Sequence, residues 1–208
     1  MRVSIIGDSI STFEGYNPDG YLTKYPCGNV KTVEQTWWHQ LISRNEWELV
    51  ENNSYSGSRI SNTSIIQTEN TNFADDSRLY NYNSDIIIIF GGTNDFGAVL
   101  NQPTLEEFIE KYKYMVNTLI EKNPNTILYL CTPLVRHDLK KAQKHQFKLN
   151  DVAKTIKKIS KEHDECKVID LHKHKIKISD FFYVDGLHPN IKGMKILSEW
   201  IEESIKTT

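Results

Sequence analysis

Five short apolar runs punctuate this chain, at residues 3–6, 48–50, 86–90, 127–130 and 168–171. In Ile86-Ile87-Ile88-Ile89-Phe90 every position is apolar, and four of the five are β-branched. A strand with no polar face must be covered on both sides, so these runs predict a parallel sheet with helices above and below it. Between the runs the apolar spacing turns helical. Trp37, Trp38, Leu41 and Ile42 form one stripe, and Leu105, Phe108, Ile109, Tyr112, Met115, Val116, Leu119 and Ile120 form a longer one that stops before Pro124. Residues 147–159 and 193–205 give two more. Strands alternating with helices predict an α/β fold: a three-layer α/β/α sandwich on a five-stranded parallel sheet, with right-handed crossovers.

Two stretches break the pattern. Residues 11–33 are rich in Gly, Pro, Asn and Tyr and exceed an ordinary strand-to-helix loop, and residues 58–71 are polar. Both begin at carboxyl ends of predicted strands, where open α/β sheets bind ligands.

Composition narrows the classes. At 208 residues the chain is expected to be a single domain, 1–208, burying roughly 70% of the surface its unfolded form exposes. A net charge of −2 with interspersed signs supplies no basic field for nucleic acid, which is excluded as a partner. Cys27, Cys131 and Cys166 are odd in number and widely spaced, as isolated thiols are, and offer neither a disulfide framework nor a zinc site. The chain enters its first strand at once, leaving no space for a leader, and has no apolar run of membrane-spanning length. A cytoplasmic protein without membrane insertion is expected.

Four segments stand at predicted strand ends: Gly7-Asp8-Ser9-Ile10, Asn52-Asn53-Ser54-Tyr55-Ser56-Gly57, Gly92-Thr93-Asn94-Asp95, and Asp185-Gly186-Leu187-His188 in the last loop. Together and in this order they resemble the four motif blocks of the SGNH hydrolases, the GDSL esterase and lipase family. The resemblance runs from residue 7 to residue 188. Ser54 stands where the second block often has glycine, and Ile10 replaces the leucine of the motif name; neither is a reacting group.

The family's fold is flavodoxin-like, in keeping with the strand pattern. A serine hydroxyl is a poor nucleophile at neutral pH, and a neutral imidazole is the side chain best suited to activate it. The resemblance makes Ser9 the nucleophile, His188 its base and Asp185 the acceptor that fixes the imidazole tautomer. It also implies three donors to the oxyanion: the backbone N–H of Ser9, that of Gly57, and the side-chain amide of Asn94. No metal or organic cofactor is required. Asp8 and Asp95 read as turn and loop anchors.

Other residues carry weaker signals. Tyr16, Tyr21 and Tyr25 fall in the irregular stretch after Ser9, where aromatic rings with polar tips would suit a sugar, so they are candidate substrate-binding residues; the alternative is a local mini-core that pins the loop. Trp37 and Trp38 are expected in the core. His172 and His174 alternate with lysines but lack a third metal ligand at a compelling spacing. His39, His137, His145 and His163 read as surface or helix-end residues, and the Lys-rich segment 140–161 as the solvated face of a helix. The expected activity is hydrolysis of a small acyl ester, with an O-acetylated carbohydrate favoured. A lysophospholipase or thioesterase acting on longer acyl chains is the alternative within the class, an acyltransferase is a variant of the same chemistry, and a catalytically silent carbohydrate-binding module is the alternative outside it.

Overall fold

The computed structural model describes residues 1–61, 72–98, 100–139, 145–178 and 182–207. Strands β1 (Arg2–Gly7), β2 (Glu48–Ser54), β3 (Ile86–Phe90), β4 (Ile127–Cys131) and β5 (Cys166–Ile169) form one sheet, parallel throughout, in the order β2-β1-β3-β4-β5. The helices are α1 (Trp37–Arg44), α2 (Thr93–Gly97), α3 (Leu105–Lys122), α4 (Leu149–Ile159) and α5 (Ile191–Thr207).

Strand periodicity divides the core in two. Val3, Ile5, Ile86, Ile88, Phe90, Tyr129 and Cys131 face Trp37, Trp38 and Leu41 of α1 and Met194, Leu197 and Ile201 of α5. Ile6, Ile87, Ile89, Leu128 and Leu130 face Phe108, Tyr112, Met115 and Leu119 of α3 and Val152 and Ile156 of α4. The all-apolar β3 is therefore buried at every position, as its sequence requires. Local signals set the helix ends. Thr104 accepts from the Glu107 N–H and Glu107 returns a bond to the Thr104 N–H, a capping box at the start of α3. The helix stops at Asn123, ahead of Pro124, whose ring disfavours helical geometry in the residue before it.

The elements depart from the apolar runs in instructive ways. Strand β2 continues to Ser54 through polar residues, because Asn52 donates to Ser11 O at 2.9 Å and Ser54 Oγ donates to Asn52 Oδ1 at 2.6 Å. Strand β5 starts at Cys166, two residues before its run, and Leu171 lies in the 3-10 turn that follows. As an edge strand, β5 tolerates the half-buried Lys167 that interrupts its pattern. Helix α4 begins at Leu149 rather than Phe147, since Asp151 accepts the Lys148 N–H at 2.9 Å and caps it there. Its Lys154 and Lys158 are exposed, while residues 140–144 of the Lys-rich segment and 62–71 of the second irregular stretch lie outside the described residues. Cys27, Cys131 and Cys166 are free thiols. Among the described residues no helix is long and apolar enough to cross a membrane, and no group of three or more His, Cys, Asp and Glu could hold a metal. His172 bonds Pro133 O through Nδ1 at 3.2 Å, and His174 stacks on Trp200 with ring centroids 3.7 Å apart.

One buried cation fastens the strand ends. Arg78, with no exposed surface, donates to Asn53 Oδ1 at 3.2 Å, Asn53 O at 2.7 Å, Ser58 Oγ at 2.7 Å and Gly7 O at 3.4 Å. Its guanidinium also lies 4.9 Å from the Phe73 ring centroid. A single side chain thus joins the end of β1, the end of β2 and the loop beyond β2. Arg78→Met removes all four of these bonds from the core, and urea unfolding is expected to show a loss of about 3 kcal/mol. A loss below about 1 kcal/mol contradicts the fastening role.

Candidate active site

The strand order reverses between β1 and β3: from β1 the chain moves outward to β2, then returns to the other side of β1 and proceeds to β4 and β5. Such a switch point opens a crevice at the carboxyl ends of the two strands. Gly7 of β1 pairs with Ser54 of β2 and Phe90 of β3, so the three strands end nearly level. A Cβ at Gly7 would lie 2.6 Å from both Ser54 Oγ and Ser11 Cβ, which leaves room there for glycine alone. The chain turns at once. Asp8 Oδ1 accepts the Ile10 N–H and Asp8 O accepts the Ser11 N–H, both at 3.0 Å, and Ser9 sits at the tip.

The last loop reaches the same place. Asp185 Oδ1 accepts the backbone N–H groups of Leu187 at 3.1 Å and His188 at 2.8 Å, so the carboxylate shapes its own loop. Its Oδ2 accepts from His188 Nδ1 at 2.8 Å, which leaves Nε2 to accept the Ser9 hydroxyl at 2.9 Å. The predicted Ser9, His188 and Asp185 therefore form one continuous relay.

The segments after β2 and β3 leave the sheet on either side of the end of β1. Gly57 adopts φ +84°, and Asn94 is the second residue of α2. Asn94 Nδ2 donates one hydrogen to Ser58 O at 2.9 Å, tying the amide to the Gly57 loop and leaving its second hydrogen for another acceptor. Among the described residues, the backbone N–H groups of Ser9 and Gly57 have no intramolecular acceptor. Asp95, fully buried, takes bonds from Ile60 N, Ser61 N and Ser61 Oγ at 2.7–2.9 Å and anchors that loop to α2.

A family model for GDSL-like lipases and acylhydrolases matches residues 1–205. The chain belongs to this family.

Solved structures agree with that membership. A Bacteroides ovatus protein described as a GDSL-like lipase is 29% identical, with 100% of this chain and 98% of that one covered and a TM-score of 0.72. A second, from Bacteroides uniformis, is 26% identical with coverages of 100% and 96% and a TM-score of 0.72. A carbohydrate esterase of family 3 from Talaromyces cellulolyticus shares the fold at 17% identity, 99% and 96% coverage and a TM-score of 0.67. No curated protein matches. The protein is an ester hydrolase of the SGNH type.

The three tyrosines do not act alike in this acylhydrolase. Tyr25 corrects the expectation of a substrate-binding role: it is fully buried, its hydroxyl donates to Pro189 O at 2.7 Å, and its ring stands edge-on to the imidazole. A side chain without exposed surface supports His188 rather than meeting a substrate. Tyr16 is half exposed and packs on Phe13 and Trp38, as a loop-pinning cluster does. Tyr21 lies against Tyr55, two residues before Gly57, with ring centroids 4.9 Å apart. It is placed beside the motif segment that carries Gly57.

Three cations escaped the sequence reading. Arg78 is described above; Arg136 follows β4 and donates to Thr93 O at 2.7 Å. Lys24 Nζ donates to Asp185 Oδ2 at 3.2 Å, the same oxygen that holds the imidazole. The signal for Arg136 was its place at a strand's carboxyl end; nothing in the irregular loop marked Lys24.

Burial, hydrogen bonds and neighbouring charges together set the protonation states. Burial opposes ionisation of Asp185, but the bonds from His188 and Leu187 outweigh it and hold the carboxyl well below the usual range. Burial lowers the His188 pKa; Asp185 counters in part, while Lys24 and Arg136 push it lower still. The imidazole is thus neutral, and able to accept a proton, across neutral pH. Asp8, fully buried and with Oδ2 unpartnered among the described residues, is pushed up to about 7 by its burial.

It follows that kcat/KM rises with pH along an acid limb whose midpoint lies below about 6.5, the usual histidine value. Lys24→Met removes a cation that disfavours the imidazolium, so the limb is expected to move to higher pH. A limb that stays in place or moves down shows that Lys24 does not act on His188.

Proposed function

We propose that this esterase works through a Ser9 acyl-enzyme and that its substrate is a small acyl ester, with an O-acetylated carbohydrate favoured. The observation that carries the chemistry is the unbroken relay from Ser9 Oγ through His188 to Asp185, at 2.9 and 2.8 Å. Ser9 Oγ attacks the carbonyl carbon as its proton passes to His188 Nε2. Asp185 stabilises the resulting imidazolium and does not itself take the proton. The carbonyl oxygen becomes an oxyanion, met by the N–H groups of Ser9 and Gly57 and the free amide hydrogen of Asn94. As the ester C–O bond breaks, Nε2 returns the proton to the leaving alcohol. Water then enters, gives its proton to Nε2, and releases the acid by the same steps.

Support for the carbohydrate comes from the surroundings. A cavity of about 360 Å³ adjoins the relay carboxylate and is lined by His137, Ile178, Phe182, Tyr183, Val184 and Asp185 together with Gly186. Its aromatic faces and polar tips suit a ring with apolar C–H faces and hydroxyl edges. The neighbour from Talaromyces cellulolyticus is a carbohydrate esterase on the same fold.

A fluorophosphonate probe is expected to label the wild type at Ser9 and to leave Ser9→Ala unlabelled; a folded wild type that resists labelling refutes the nucleophile. Asn94→Ala is expected to lose about 10²–10³ in kcat on nitrophenyl acetate, and near-normal turnover removes Asn94 from the oxyanion site. Across nitrophenyl esters from acetyl to octanoyl, kcat/KM should fall as the chain lengthens. A rise supports the long-chain alternative instead.

A further inference from the structure

The loop that follows β4 touches both halves of the site. Arg136 Nη1 donates to Thr93 O at 2.7 Å and approaches Thr93 Oγ1 at 3.3 Å, gripping the residue before Asn94. The same guanidinium grips Asp138 with two parallel bonds, Nε to Oδ1 at 3.0 Å and Nη2 to Oδ2 at 2.7 Å. Between them, the His137 N–H donates to Gly186 O at 2.8 Å, inside the segment that carries Asp185 and His188. Tyr183, at the start of that segment, donates its hydroxyl to Val135 O.

Two glycines make way for this loop. A Cβ on Gly97, at the end of α2, would lie 2.0 Å from Arg136 Nη1. A Cβ on Gly186 would lie 2.8 Å from Asp138 N and 3.0 Å from His137 C. Gly186 also has φ +88°, a conformation side chains resist. The Arg136 side chain is only 6% exposed, so its bonds are little weakened by water.

We propose that Arg136, clamped by Asp138, is a positioning residue that fixes the Asn94 arm of the site to the Asp185–His188 arm. It touches neither nucleophile nor substrate; it holds an oxyanion donor and the base at one separation while a proton and an acyl group move between them. The inference rests on the roles of Asn94 and His188 in the proposed function. Displacements of about 1 Å in such a constellation cost up to about 10²-fold in rate.

A double-mutant cycle on nitrophenyl acetate tests it, with Asn94→Ala, Arg136→Lys, Arg136→Met and Asp138→Asn. Arg136→Lys is expected to lower kcat by about 10- to 100-fold with little change in KM, and to cost much less in the Asn94→Ala background because the residue it positions is gone. The pH profile separates charge from geometry. His188 faces Asp185 on its own loop, Lys24 from the loop after β1, and Arg136 from the loop after β4. Arg136→Met should therefore move the acid limb of kcat/KM to higher pH, while Arg136→Lys keeps the charge and leaves the limb in place. Should the Arg136 variants fail to fold, Asp138→Asn, which preserves shape and loosens the clamp, should show the same kcat loss and the same non-additivity with Asn94→Ala. Wild-type kcat in the folded variants, or full additivity with Asn94→Ala, overturns the proposal. If Asn94→Ala alone retains wild-type turnover, the failure lies with the oxyanion assignment and also removes the arm that Arg136 is proposed to hold.

Discussion

Strands β1, β2 and β3 end level with one another at the point where the sheet order reverses, and the site depends on that alignment. Gly7 is paired on both sides, with Ser54 and with Phe90, and has no space for a side chain. The chain leaves the sheet just after it, and the turn closed by Asp8 presents Ser9. The same alignment delivers Gly57 and Asn94 from the two neighbouring strands. Arg78 holds it by bonding the ends of β1 and β2 and the side chain of Ser58 from within the core. A slip of one residue in either pairing would turn alternate side chains to the wrong face and separate the donors from the nucleophile.

Burial does opposite things to the ionisable groups of the site, and their partners decide the outcome. Asp185 keeps its charge because donors surround it, three of them from the loop it closes. His188, desolvated and facing Lys24 and Arg136, is kept neutral. Asp8, one residue from the nucleophile, has among the described residues a single hydrogen-bond donor for a wholly buried carboxyl and is pushed towards its neutral form. A base poised to accept a proton sits between a fixed anion and a serine, which is the arrangement acyl transfer needs.

The strands and the longer helices were legible because each carries a strong period: β3 buried on both faces, α3 striped and capped. The four motif segments were legible because they are short, local and in order. The remainder depends on contacts distant in sequence. Arg78 lies 71 residues from Gly7, and Arg136 lies 43 from Thr93. No local pattern distinguishes Arg78 from a surface arginine, and Arg136 is marked only by its place beyond the carboxyl end of β4. Tyr25, by its place in an irregular loop a candidate either for the substrate or for a mini-core that pins the loop, folds under the imidazole and bonds Pro189, 164 residues away. The polar end of β2 was missed for a related reason: its strand is sustained by side-chain hydrogen bonds rather than by apolar burial.

The most direct test of the central claim, that these strand-end segments form one acyl-transfer site around Ser9, is a crystal structure of the enzyme phosphonylated by a fluorophosphonate. The phosphoryl oxygen should lie about 2.7–3.1 Å from the N–H of Ser9, the N–H of Gly57 and Asn94 Nδ2, with the adduct bonded to Ser9 Oγ. An adduct on another residue, or a phosphoryl oxygen turned to solvent away from Gly57 and Asn94, contradicts it.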